Sequence, residues 1–119
     1  VLFSSPLVYR DDNNELHPIE MLDLELEREL LWRSFKEASV DIDVRFDTAT
    51  ADRLQAAMTT SCGCLHVSGH GHRDGLTFED GVGGLHWLRV DSLKSLISNK
   101  VKGGAAPFNF VFCLSKSNN

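Results

Sequence analysis

The chain has 119 residues, of which 42% are hydrophobic, so it is long enough for one compact domain and too short for two of ordinary size. Its formal net charge of -5 and its twelve scattered basic residues argue against a surface that binds nucleic acid or anionic lipid. The sequence has no run of about 20 apolar residues that could span a bilayer and no signal-peptide pattern at its start, so we expect a cytoplasmic protein.

The first part of the chain predicts a strand, a helix and a second strand. The apolar segment from residue 1 to residue 9 predicts a short strand that stops near residue 5 or 6, and the polar residues 10–15 predict a loop. Pro18 suits a first helical position, and its helix carries an acidic run that we interpret as a solvated face. The alternating residues 40–46 predict a strand with one wet face. The predicted apolar face of the helix consists of Ile19, Leu22, Leu26 and Leu30, widened by Leu24, Leu31, Phe35 and Ala38.

A second helix and a central strand follow. Thr48 or Thr50 can cap the helix, and Asp52 lies in its first turn. Its small apolar stripe is Leu54, Ala57 and Met58. Residues 64–67 predict a short buried strand, which the glycines at positions 69 and 71 would interrupt.

The last third of the chain predicts a hairpin, a helix and a core strand. Two apolar segments, residues 76–78 and 85–88, flank a glycine-rich turn and predict a β-hairpin. Asp91 is a good N-cap for a helix over residues 92–98, and residues 108–114 form a strongly β-prone run. Strands that alternate with helices predict an α/β fold with a mainly parallel sheet and helices on both faces.

The three cysteines, Cys62, Cys64 and Cys113, are odd in number and unevenly spaced, which argues against a disulfide framework and favours reduced thiols. Cys62 and Cys64 are closer together than the paired ligands of common zinc sites. We interpret both as small packing residues at a strand entrance. Trp32 and Trp87 are assigned to packing in the core or the hairpin.

His70 and Gly71 are the strongest candidates for a functional site. They follow the central strand, and the ligands of open α/β sheets lie beyond the carboxyl ends of the strands. The glycines beside His70 leave its imidazole uncovered, and the amide of Gly71 could approach a substrate oxygen as an oxyanion-hole donor. A histidine serves as a general acid or base near neutral pH. A nucleophile at the end of the last strand, predicted to lie beside the central one, would be within reach of His70.

Residues 65–71, Leu-His-Val-Ser-Gly-His-Gly, resemble the His-Gly strand of CHAT domains, which are caspase-like cysteine peptidase modules often attached to tetratricopeptide repeats. Weaker landmarks occur in the same order, namely Ser4-Ser5-Pro6-Leu7, residues 25–29, Ala49-Thr50-Ala51 and Gly75-Leu76-Thr77-Phe78. The resemblance implies one partial caspase-like domain over residues 1–119, with a three-layer sheet and a β-hairpin insertion.

The same resemblance implies a chemistry and partners. A Cys-His dyad would cleave a protein or peptide substrate without a cofactor, with His70 as the acid or base and Gly71 in the oxyanion hole. Tetratricopeptide repeats in the same full-length protein are implied as a further partner.

The end of the chain departs from the CHAT pattern. The family places its nucleophile in a motif of the type Ser-Ala-Cys-x-Ser after a hydrophobic run, whereas this chain reads Phe-Cys-Leu-Ser-Lys over residues 112–116. Aligning the hydrophobic residues puts Lys116 where the cysteine belongs, and Cys113 lies three residues earlier. Cys113 is therefore either buried core or the nucleophile. The chain is correspondingly an active cysteine peptidase domain or an inactive interaction and signalling module.

A zinc-dependent hydrolase is a third alternative. His70, His72 and Asp74 match the H-x-H-x-D part of the metallo-β-lactamase zinc motif, but Gly75 stands where that motif requires another histidine. We favour a polar loop role for His72. Asp74 is predicted to be a turn former or the partner of a histidine, and no metal is expected.

Overall fold

The structure is a computed structural model that describes residues 1–39, 41–60, 63–72, 74–101 and 110–116, with the backbone alone for His72 and residues 97–101 and 110–116. Within these ranges the chain forms eight strands and three helices. In chain order they are β1 (Leu2–Phe3), β2 (Val8–Arg10), β3 (Leu16–Pro18), α1 (Leu24–Glu37), β4 (Asp47–Thr48), α2 (Ala51–Thr59), β5 (Cys64–His72), β6 (Gly75–Glu79), β7 (Leu85–Arg89), α3 (Val90–Val101) and β8 (Phe110–Lys116).

Strand β5 is the centre of a mixed sheet. It pairs in parallel with β1 and with β8, and β1 pairs in parallel with β4. The end of β5 pairs antiparallel with β6, which pairs antiparallel with β7. The predicted α/β class is confirmed. The sheet is mixed rather than mainly parallel because short turns join β5 to β6 and β6 to β7, and each turn reverses the direction of the chain.

The hydrophobic core lies against the face of β5 that carries Leu65 and Val67, since side chains alternate between the two faces of a strand. Helix α2, strand β1 and the β6–β7 hairpin complete it. Its buried residues are Leu2, Ala49, Leu54, Met58, Leu65, Val67, Phe78 and Leu88. Leu93 and Leu96 of α3 pack against this cluster, as their spacing predicts.

The segment between β1 and α1 differs from the prediction of a helix that begins at Pro18. Strands β2 and β3 form an antiparallel hairpin in which Pro18 pairs with Val8. Helix α1 begins at Leu24, where the side chain of Asp23 accepts a hydrogen bond of 3.1 Å from the amide of Leu26. The predicted start was wrong because proline also fits a strand that does not need its N–H for pairing, and Asp23 supplies the stronger cap.

Helix α1 buries only part of the apolar face that the sequence predicts. Leu26 and Leu30 are 51% and 49% exposed, whereas Leu24 and Leu31 are half-buried. The side chain of Glu27, predicted to be solvated, is only 15% exposed. The predicted periodicity was correct, whereas the placement of Leu26 and Leu30 on the buried side and of Glu27 on the solvated side was wrong.

The strand predicted over residues 40–46 is also wrong. Val40 lies outside the described residues, and residues 41–46 make no strand. The pairing with β1 begins one residue later, where Asp47 is opposite Leu2. The ring of Phe46 stacks on Phe3 with 5.8 Å between ring centroids, which fixes the chain just before β4.

The second helix follows the prediction. Thr50 caps α2 by accepting a hydrogen bond of 3.2 Å from the amide of Arg53, and Leu54 and Met58 are buried. Asp52 lies in the first turn, where a carboxylate favours the helix dipole.

The turn between β6 and β7 is closed by Asp80. Its carboxylate accepts hydrogen bonds from the amides of Val82 and Gly84 at 2.8 and 2.9 Å. These two bonds lower the pKa of Asp80. The two strands pair antiparallel where the sequence predicts a hairpin.

Helix α3 begins at Val90, so Asp91 lies in its first turn instead of capping it. The predicted last strand is present as β8, although its first two residues, 108 and 109, lie outside the described ranges. Among the helices of the described ranges, none combines the length and apolar character needed to cross a membrane.

Cys64 and Trp32 are more exposed than packing residues would be. Cys64 is an exposed thiol at the start of β5, and Trp32 is 46% exposed on α1. Trp87 is half-buried on β7, as expected for hairpin packing. The packing prediction was therefore wrong for Cys64 and Trp32, and Cys62 lies outside the described residues.

Candidate functional site

The His-Gly pair lies inside a strand that continues past it. The prediction that glycines end this strand was wrong, because β5 runs on to His72 and its last residues pair with β6. Gly69 has a packing role instead. A Cβ at Gly69 would lie 2.9 Å from the Cβ of Ser4, and the amide of Ser4 donates a 2.8 Å hydrogen bond to the carbonyl of Ser68. Glycine thus allows the chain after β1 to lie close against β5.

His70 is half-buried and is held by the segment that precedes α1. Its Nε2 lies 2.7 Å from the carbonyl oxygen of Glu20. Since a carbonyl oxygen only accepts, Nε2 is assigned as the donor, and Nδ1 of the neutral ring carries the lone pair. The hydroxyl of Thr77 donates to the carbonyl of His70 at 2.5 Å, which ties β6 to the same residue. The imidazole is therefore oriented with Nδ1 as its basic atom.

Strand β8 lies beside β5, as the sequence predicts. Their parallel pairing runs from Cys64 opposite Phe110 to His70 opposite Lys116. Cys113 is opposite Val67, three residues before the level of His70. At about 3.3 Å per residue, this offset is about 10 Å along the strand. The register therefore brings position 116, and not Cys113, beside His70.

A polar cluster fills the contact between α1 and the face of β5 that carries His66, Ser68 and His70. The hydroxyl of Ser68 donates a 2.8 Å hydrogen bond to Oε2 of Glu27. Oε1 of Glu27 lies 3.6 Å from Nε2 of His66, too long for a hydrogen bond, and both atoms are buried. Sequence reasoning missed this cluster. The available signal was the polar residue at every second position of a strand that is otherwise buried.

Neither a protein-family model, nor a curated protein, nor a solved structure matches this chain. The chemistry of the site is therefore defined by its own residues. These are an oriented imidazole at His70, the adjacent glycine amide of Gly71, and position 116 of the neighbouring strand.

The β2–β3 hairpin brings together three further polar residues that sequence reasoning missed, Asp11, Glu15 and His17. One potential ligand atom from each lies within 4.8 Å of the other two. Nε2 of His17 is 2.6 Å from Oδ2 of Asp11, and this bond, with a further one from the amide of Glu15, lowers the pKa of Asp11. The signal available in the sequence was the spacing of these residues across a predicted loop. Asp11 and Glu15 are four positions apart, and Glu15 and His17 are two apart.

The zinc alternative falls partly outside the described residues, because the side chain of His72 is not described. Asp74 is exposed in the turn between β5 and β6, as predicted for a turn former. His70 already contacts the carbonyl of Glu20 through one of its two ring nitrogens.

Proposed function

We propose that this chain is a caspase-like domain of the CHAT type, with a site laid out for a Cys-His dyad, and that it acts as a non-catalytic interaction module. The observation that carries the proposal is the register that places Lys116 opposite His70. Neighbouring strands lie about 4.8 Å apart, so position 116 is where a nucleophile would reach the imidazole. A lysine is an ammonium at neutral pH by default and is a poor nucleophile in that form.

His70 and Gly71 supply the other half of such a site. With Nε2 donating to the carbonyl of Glu20, Nδ1 of His70 is the atom that would take a proton from a thiol. The Gly71 amide is the proposed oxyanion donor. A site that has lost its nucleophile would still contain these two residues, whether or not position 116 holds a cysteine.

Peptide cleavage by Cys113 is the second candidate function. It requires β8 to slide by three residues, so that Cys113 comes opposite His70. A slip by an odd number of residues exchanges the two faces of a strand and moves every side chain to the opposite side of the sheet. Such a slip would also change the register of all seven β8 residues that pair with β5, which favours the non-catalytic alternative.

The proposed partner is a protein or peptide segment that occupies the region beyond His70 without being cleaved. Tetratricopeptide repeats in the same full-length protein are part of this proposal. No cofactor is required, because the dyad chemistry uses only side chains and backbone amides.

A nucleophile-restoring variant tests the layout. The purified protein is treated with a peptide acyloxymethyl ketone, and each modified cysteine is located by peptide mass spectrometry. We expect no His70-dependent modification of Cys113. The Lys116→Cys variant should be modified at position 116, and His70→Ala in that background should abolish the reaction. Ser115→Cys is the matched control, because its register partner is Gly69 and not His70.

Two results would count against the proposal. Modification of Cys113 that disappears in His70→Ala would show that the chain is an active peptidase. Equal modification of Lys116→Cys and Ser115→Cys would show that position 116 is not aligned with the imidazole. Stoichiometric zinc in protein purified without chelator would instead support the hydrolase alternative.

A further inference from the structure

We draw no further inference here: the strongest candidate, the side-chain cluster of Asp11, Glu15 and His17 on the β2–β3 hairpin, is accounted for by the bond between His17 and Asp11, and no other feature of the residues that the structure describes indicates a metal or other ligand there.

Discussion

Glu27 lies where helix α1 crosses strand β5, and its carboxylate faces a hydroxyl and an imidazole of that strand. A carboxylate removed from water is costly unless its oxygens find partners. Ser68 donates a hydrogen bond to Oε2, whereas Oε1 lies 3.6 Å from Nε2 of His66 without a hydrogen bond. Since α1 has no buried residue, we expect this polar contact to contribute to the attachment of the helix to the sheet.

Replacing Glu27 with alanine should lower the free energy of unfolding by about 1–3 kcal/mol, the usual cost of leaving a buried polar partner unsatisfied. Glu27→Gln should cost less, because its amide oxygen can still accept the Ser68 bond. Chemical denaturation followed by circular dichroism measures both.

Glu29→Ala is the control for helix composition and charge. The Glu29 side chain is 66% exposed and lies 3.5 Å from Arg33, and exposed pairs of this kind contribute about 0–1 kcal/mol. If Glu27→Ala were no more destabilising than Glu29→Ala, the contact with β5 would not anchor the helix.

For individual helices and strands, the local sequence pattern predicted the type of element better than it predicted which face the element buries. The leucine spacing predicted that α1 is a helix, but its rotation depends on the surface that it covers, and that surface of β5 is polar at His66 and Ser68. The glycines of β5 predicted that the strand is interrupted. This was wrong because the effect of a glycine also depends on the surface beside it. Local sequence shows only that position 69 is a glycine, which often weakens a strand. Its role here is to let Ser4, which is distant in sequence, pack closely against β5.

Gly69→Ala should destabilise the protein by about 1–3 kcal/mol, the usual cost of overpacking a well-packed site. The added methyl would lie 2.9 Å from the Cβ of Ser4 and 3.0 Å from its carbonyl oxygen, so the chain after β1 would have to move away from β5. Thermal and chemical unfolding measure the loss.

A double variant identifies the cause. Ser4→Gly removes the closer of the two contacts, so Ser4→Gly with Gly69→Ala should lose less stability than the sum of the single changes. Strict additivity of the two changes would show that the close approach of Ser4 does not determine the effect of Gly69→Ala.

Across the whole molecule, the sequence predicted the α/β class. It also predicted that β8 lies beside β5, because strongly apolar strands are usually buried at the centre of a sheet. It predicted His70 and Gly71 just after the central strand, whereas they lie within it. It did not predict the antiparallel extension through β6. Nor did it predict the contact between His70 and the carbonyl of Glu20. These residues are 50 positions apart, and every residue has a backbone carbonyl, so the sequence does not indicate which carbonyl contacts the imidazole.

The last prediction concerns β8 as a partner of the central strand. Removing residues 110–119 strips seven paired residues from β5 and turns one side of that strand into an open edge. Small domains are stable by only about 5–15 kcal/mol, so we expect this truncation to abolish the cooperative thermal transition and to cause association through the open edge. Circular dichroism melts and size-exclusion chromatography measure the two effects.

Removing only residues 117–119 is the matched control, because β8 ends at Lys116 and its pairing with β5 would be intact. This shorter truncation should unfold at the same temperature as the full chain. A chain that ends before Phe110 and still unfolds cooperatively at that temperature would show that the sheet does not require β8. The alignment of position 116 with His70 would then contribute nothing to stability, and the case for a peptidase-type site would rest on the Lys116→Cys result alone.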